Sequence, residues 1–144
     1  EAKWLKQVGR RGRVILRTAL GAMAVDDFDA LPPELRFFAG GDRSIRGFDY
    51  EQIGEKNAQG GVIGGEYLTV GSVEYEHYFL EKWGLAAFVD AGDAFISGFE
   101  WNVGAGLGLR WKSPIGLVRL DFAQPVESEF GDSWRIHLVI APDL

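Results

Sequence analysis

The chain of 144 residues is long enough for one domain with a modest core, carries a formal net charge of −6 and has no cysteine. Disulfide frameworks and thiolate metal sites are therefore excluded, and the acidic balance leaves no basic stripe of the kind nucleic acid requires. Stretches free of Asp, Glu, Lys and Arg never exceed nine residues, at 57–65 and 101–109, so no helix can cross a bilayer, which takes about 20 apolar residues.

The chain opens EAKWLKQVGRRGR, with no apolar run of leader length, so no signal peptide is expected. WLKQV, 4–8, reads as a short strand. In RVILRTALGAMAV, 13–25, Arg13 and Arg17 oppose Val14, Leu16 and Leu20, the period-2 mark of a strand. Residues 26–65 then form one connection, far longer than the roughly 12–15 residues usual inside a compact domain, and long loops of that kind carry function. The connection contains GGDRSIRGFDY, 40–50.

Alternation resumes in EYLTVGSVEYEHYF, 66–79, where Tyr67, Val73, Tyr75 and Phe79 oppose Glu66, Glu74 and Glu76. In WGLAAFVDAGDAF, 83–95, Trp83, Leu85, Ala87 and Val89 oppose Gly84, Phe88, Asp90 and Gly92. EWNVGAGLGLRWK, 100–112, is the clearest segment: Trp101, Val103, Ala105, Leu107, Leu109 and Trp111 share one face, and the glycines, Arg110 and Lys112 the other. GLVRLDFAQPV, 116–126, sets Val118, Leu120 and Phe122 against Arg119 and Asp121. WRIHLVIAP, 134–142, sets Trp134, Ile136, Leu138 and Ile140 against Arg135 and His137. No helix is predicted.

The fold class is all-β, an antiparallel meander of six or seven strands. Apolar faces that carry Trp at both ends and aliphatics between suit strands facing lipid, with an aromatic girdle at each interface. The polar face then lines a wet lumen. A transmembrane strand needs only about 10 alternating residues, which a mean hydropathy near zero allows. Membrane barrels usually close at eight strands or more, so further strands come from elsewhere in the protein or from a second copy.

Arg46 is the sharpest candidate. Gly40, Gly41 and Gly47 permit turns closed to other residues. Asp90 shares its face with Phe88 and Gly92, and Gly92 would let a loop approach the wall. An arginine fork suits a carboxylate. From the residues alone, the reading to favour is that Arg46 is a solvated loop arginine and Asp90 a channel-lining acid. GAGLG, 104–108, is followed by no helix and is no dinucleotide fingerprint; its glycines make room for the loop. No metal site or cofactor is expected. His77 and His137 lie on distant strands, and Asp26, Asp27 and Asp29 read as a solvated cluster without an EF-hand pattern. Glu74, Glu76, Asp90, Asp93 and Asp121 form no acid–base pair with an attending nucleophile, so no enzyme is expected.

FFAGGDRSIRGFDY (37–50), FVDAGDAF (88–95), GAGLGLRWKSPIGLVRLDFAQPV (104–126) and the terminal WRIHLVIAPDL together resemble the BamA/TamA superfamily of outer-membrane assembly and translocation barrels. DDFDALPPELRFFAGGDRSIRG is most like the TamA type, the outer-membrane subunit of the translocation and assembly module. The resemblance implies a bacterial outer-membrane location. It also implies that residues 1–144 are the C-terminal barrel portion, the last six or seven of sixteen strands, with periplasmic domains preceding. Residues 26–65 become an extracellular loop folded into the barrel. Arg46, Gly47 and Phe48 match the superfamily's R-G-F/Y loop motif. Phe88, Asp90 and Gly92 match its F-x-D-x-G wall motif, and the resemblance pairs Arg46 with Asp90.

The last strand, with Trp134, Ile136, Leu138 and Ile140, becomes one side of a lateral gate where client strands pair; the residues themselves fit a simple closing strand equally. Implied partners are client β-barrel proteins such as autotransporters, the lipid bilayer, and a TamB-like partner anchored in the inner membrane. Self-association of the chain is a further expectation. A two-partner-secretion pore and a plain structural or ligand-binding barrel are the alternative functions.

Overall fold

The computed structural model describes residues 1–127 and 133–141. Among these are nine strands: β1 (Ala2–Val8), β2 (Gly12–Ala22), β3 (Glu55–Lys56), β4 (Val62–Gly64), β5 (Tyr67–Tyr78), β6 (Trp83–Phe95), β7 (Asn102–Ser113), β8 (Gly116–Glu127) and β9 (Arg135–Ala141). Seven of them form one antiparallel sheet in the order β1-β2-β5-β6-β7-β8-β9, so β1 and β9 stand at opposite edges. Each expected strand is present within about three residues at either end, including the short first one. The single helical turn among the described residues is a 3-10 turn at Pro33–Leu35. Pro142, Asp143 and Leu144, expected to end the last strand, lie outside the described residues.

The inner strands of the sheet separate two environments, because successive side chains point to opposite faces, whereas β1 is exposed along its whole length. On β5, Val70, Ser72, Glu74 and Glu76 are buried, whereas Tyr67, Val73 and Tyr75 are exposed. On β6, Ala86, Phe88 and Asp90 are buried, whereas Trp83, Leu85 and Val89 are exposed. The exposed face is the apolar one. In a water-soluble sheet that arrangement would be inverted; against hydrocarbon it is the stable one.

Aromatic rings mark the two limits of that face. Trp83 and Trp111 are register partners and stack with centroids 5.6 Å apart near the tight turns. Toward the opposite end, Tyr67 stacks on Phe95, Phe95 meets Phe99 edge-on, and Phe99 meets Trp101 edge-on at 4.8 Å. Trp101 and Trp111 are ten residues apart on one run of chain, about 34 Å at about 3.4 Å per residue. Tilted by about 40°, that span crosses about 25 Å, the height of a barrel's apolar band.

Residues 23–66 leave the sheet between β2 and β5 and return over its buried face. The excursion is braced within itself. The β3–β4 ribbon, isolated bridges Phe37↔Gly65 and Ala39↔Ile53, and the Arg36 guanidinium donating to the carbonyls of Asp29, Leu31 and Ile63 hold it together. The core lies between loop and wall: Ala39, Ile45, Phe48 and Ile53 from the excursion pack with Val70 of β5 and Ala94 of β6.

Leu107 sits midway between the girdles and is exposed. Leu107→Arg is expected to cost the full-length protein about 2–4 kcal/mol of stability in lipid vesicles, and Trp101→Arg no more than about 1 kcal/mol, because the cost of a charge falls toward the interface. Denaturant unfolding from vesicles measures both, and equal costs would contradict the placement of the apolar band.

Candidate functional site

Arg46 enters the buried face of the sheet and is 3% exposed. Its Nε donates to Asp90 Oδ2 at 2.7 Å and its Nη2 to Asp90 Oδ1 at 2.9 Å, a two-pronged pair. The Arg46 backbone N–H donates to the same Oδ2 at 3.1 Å. Nη1 donates to Glu74 Oε2 at 2.7 Å and to Asp121 Oδ2 at 3.0 Å. The guanidinium carbon stands 3.4 Å from the centroid of the Phe88 ring, which closes its remaining face. One loop residue thus touches β5, β6 and β8.

The carboxylates that receive Arg46 are themselves braced. Arg110, fully buried on β7, donates from Nε to Glu76 at 2.8 Å, from Nη2 to Glu74 at 2.8 Å and from Nη1 to Asp121 at 2.5 Å. Arg119 reaches both oxygens of Glu74, and Arg13 reaches Glu76. Glu74, Glu76, Asp90 and Asp121 therefore face Arg13, Arg46, Arg110 and Arg119. Burial alone would lower the pKa of the Arg46 guanidinium. The hydrogen bond to Asp90 and the charges of Asp90, Glu74 and Asp121 outweigh it, and the net shift is upward, so the group stays charged.

Glycines give the loop its seat. Gly47 has φ +100°, a conformation other residues rarely adopt, and a Cβ there would lie 2.7 Å from the carbonyl carbon of Gln124. A Cβ on Gly104 would lie 1.8 Å from the Arg46 carbonyl oxygen. A Cβ on Gly106 would meet first the Phe122 carbonyl oxygen of β8 and then the Phe88 ring, and one on Gly108 would meet the Asp121 and Arg110 head groups. Phe48, wholly buried, plugs the core beside this seat.

Arg46 and Asp90 are in contact, with Gly47, Phe48 and Phe88 around them. Gly92 is elsewhere in effect. The space its Cβ would need is taken by the β5 backbone, with Thr69 O at 2.1 Å, so Gly92 serves close packing of two strands rather than loop approach. Glu74, Glu76 and Asp121 are not the wetted wall acids expected from alternation; they are buried and ion-paired. Sequence reasoning missed Arg110 as their brace and Arg17, whose Nη2 donates to the Ser44 carbonyl. The available signal was an arginine on the inward face of each strand, β2, β7 and β8, opposite acids on β5, β6 and β8.

At the sheet edge, Ile136, Leu138 and Ile140 point outward and are exposed, opposite Phe122, Leu120 and Val118 of β8. Trp134 is exposed and precedes β9 by one residue. Among the described residues β9 pairs with β8 alone.

Residues 1–140 match the Omp85 superfamily domain. The outer membrane protein assembly factor BamA of Nitratidesulfovibrio vulgaris is 32% identical over 120 residues, covering 77% of this chain and 15% of that protein. The crystal structure of BamA from Haemophilus ducreyi lacking POTRA domains 1–3 superposes with a TM-score of 0.75 at 20% identity, covering 94% of this chain and 32% of that one. The chain thus spans about a seventh of the curated relative and a third of the solved structure.

Arg46→Ala and Asp90→Ala are each expected to free the loop in the full-length protein, at a cost of about 3–5 kcal/mol for the charge left unpaired, and the double change to add little. Gly104→Ala is expected to unseat the loop with the ion pair chemically intact, whereas Gly92→Ala should loosen β5 from β6. Hydrogen exchange across residues 39–53 and 67–95 separates the cases. Additive Arg46 and Asp90 effects would contradict the pairing.

Proposed function

The chain belongs to the Omp85 superfamily, and from this membership in a group of bacterial outer-membrane proteins we propose that it forms the gate-bearing part of a β-barrel that assembles or secretes β-rich clients. The observation that carries the reading is the pairing of an apolar outer face on the sheet with an inner face closed by the buried Arg46 seat; within that wall, the resemblance to the superfamily makes β9 the gate strand. A strand paired on one side only offers a row of N–H and C=O groups to an incoming strand, and β-augmentation at such an edge needs no nucleotide and no catalytic group. The apolar outer face of Ile136, Leu138 and Ile140 continues the lipid-facing surface to that edge. A client strand added there would arrive already oriented with its own apolar face toward hydrocarbon.

The buried Arg46 cluster has a separate part in this reading. It fixes the long loop across the lumen, so the wall beside the edge strand keeps its shape while the edge opens. Within the superfamily the reading is of the TamA type, on the stretch DDFDALPPELRFFAGGDRSIRG. Autotransporters are then the clients, and a TamB-like protein anchored in the inner membrane is the partner, reached through domains outside this chain.

Full-length protein reconstituted in lipid vesicles is expected to speed insertion of an autotransporter barrel over empty vesicles, and to co-purify with the TamB-like partner. Insertion no faster than in empty vesicles would overturn the assembly reading. Co-purification with one dedicated exoprotein would replace it with two-partner secretion.

A further inference from the structure

The loop that seats Arg46 on the wall also reaches the last strand. Three residues on, Asp49 meets Arg135, whose Nε donates to Oδ1 at 2.7 Å and whose Nη2 donates to Oδ2 at 3.0 Å. Arg135 is the first residue of β9 and stands opposite Ala123 of β8. The next residue of β8, Gln124, is the one against which Gly47 is seated. A single turn of the loop therefore lies on β8 through Gly47 and on β9 through Asp49, at the point where the pairing of these two strands begins.

Asp49 is placed for this by its own turn. Its backbone N–H donates to Gln52 Oε1 at 2.7 Å, and its carbonyl accepts the Gln52 N–H. Glu51 holds φ +58° between them, a conformation uncommon outside glycine. The pair differs from the Arg46 cluster in its surroundings. The side chain of Asp49 is 67% exposed and that of Arg135 is 16% exposed, against 3% and 0% for Arg46 and Asp90. Hydrogen bonding to Arg135 still holds the Asp49 carboxyl below its usual range. A wet ion pair is weak and screened by salt, and so it opens readily.

We propose that Asp49 and Arg135 form a releasable latch that ties the start of the last strand to the seated loop. With the latch closed, β9 is held at both its β8 ladder and its first residue. With it open, the first turns of pairing between β9 and β8 fray, and the edge becomes free to rearrange around an incoming strand. The proposal rests on the reading of β9 as the client-facing edge and adds its control: the loop, positioned by its buried arginine, decides how firmly that edge is shut.

The test is hydrogen exchange on the full-length protein in lipid nanodiscs with no client present. Asp49→Asn and Arg135→Gln are each expected to raise exchange over residues 135–138 by up to about fivefold, the range an exposed ion pair supports. The double variant should do no more than either single one, and the exchanged pair Asp49→Arg with Arg135→Asp should restore protection. Raising salt should mimic the single variants in the unaltered protein and leave the variants themselves unmoved. Unchanged exchange at 135–138 in either single variant, or effects that multiply in the double one, would overturn the latch. So would a rise spread evenly over β5–β8, which would mean general loosening. Because no client is involved, a failure here leaves the edge-strand reading standing, and a failure of client insertion leaves the latch standing.

Discussion

Taking a guanidinium out of water costs several kcal/mol, and only carboxylates held in place can offset it. The geometry around Arg46 follows from that requirement. Asp90 supplies both prongs of the fork, Glu74 and Asp121 take the remaining amine, and Phe88 covers the face. Three acids converging on one cation would repel one another. Arg110 and Arg119 stand between them and on the far side, so Glu74 and Asp121 are neutralised whether or not the loop is seated. Asp90 differs. Its partners are Arg46 and the Ser72 hydroxyl, so it is the acid that depends on the loop. Seating the loop gives Asp90 its hydrogen-bonded cation, and that requirement specifies which residue docks and where.

The same requirement explains the composition of β7. Asp90 on β6 and Asp121 on β8 lie on either side of β7, and Arg46 must pass over that strand to touch both. Register places Gly104 opposite Asp90, Gly106 opposite Phe88 and Gly108 opposite Asp121. Alternate glycines keep the inward face of β7 bare over that stretch, and the space is taken by the Arg46 backbone at Gly104, by the Phe122 carbonyl and the Phe88 ring at Gly106, and by the Asp121 and Arg110 head groups at Gly108. Glycine weakens a strand's own packing. Here the packing is supplied from the loop, which makes wall and loop one folding unit rather than a scaffold with an appendage.

The strands were legible in the sequence because lipid on one side and a polar interior on the other impose an unbroken two-residue period, as in 100–112. Trp101 and Trp111 marked the band's limits for the same reason. Arg46 and Asp90 were legible as a pair only through the motifs around them, since alternation gives the face of Asp90 but not the path of a 40-residue loop. The braces were hidden for a further reason. That Glu74, Glu76, Arg110 and Asp121 share the inner face is a local fact, whereas their convergence depends on the stagger of four strands, which no single stretch encodes. Gly92 misled because a glycine on the inner face can serve a loop or a neighbouring strand, and only the Thr69 carbonyl beside it decides. Asp49 and Arg135, 86 residues apart, carry no pattern at all.

The loop's hold on the sheet is graded from the middle toward the edge. At β5, β6 and β8 it is buried, multidentate and beyond the reach of salt. At β9 it is one ion pair open to water. Local opening draws on the regions with the fewest buried contacts, and the side chains of β9 alternate between half-buried and exposed, with none fully buried. On the proposed latch, β9 would yield without disturbing the cluster, because the Asp49–Arg135 pair and the Arg46 seat share a turn but no charged group. Asp49 lies on the β9 side of that turn and Arg46 on the side of β5, β6 and β8, with Gly47 and Phe48 between them.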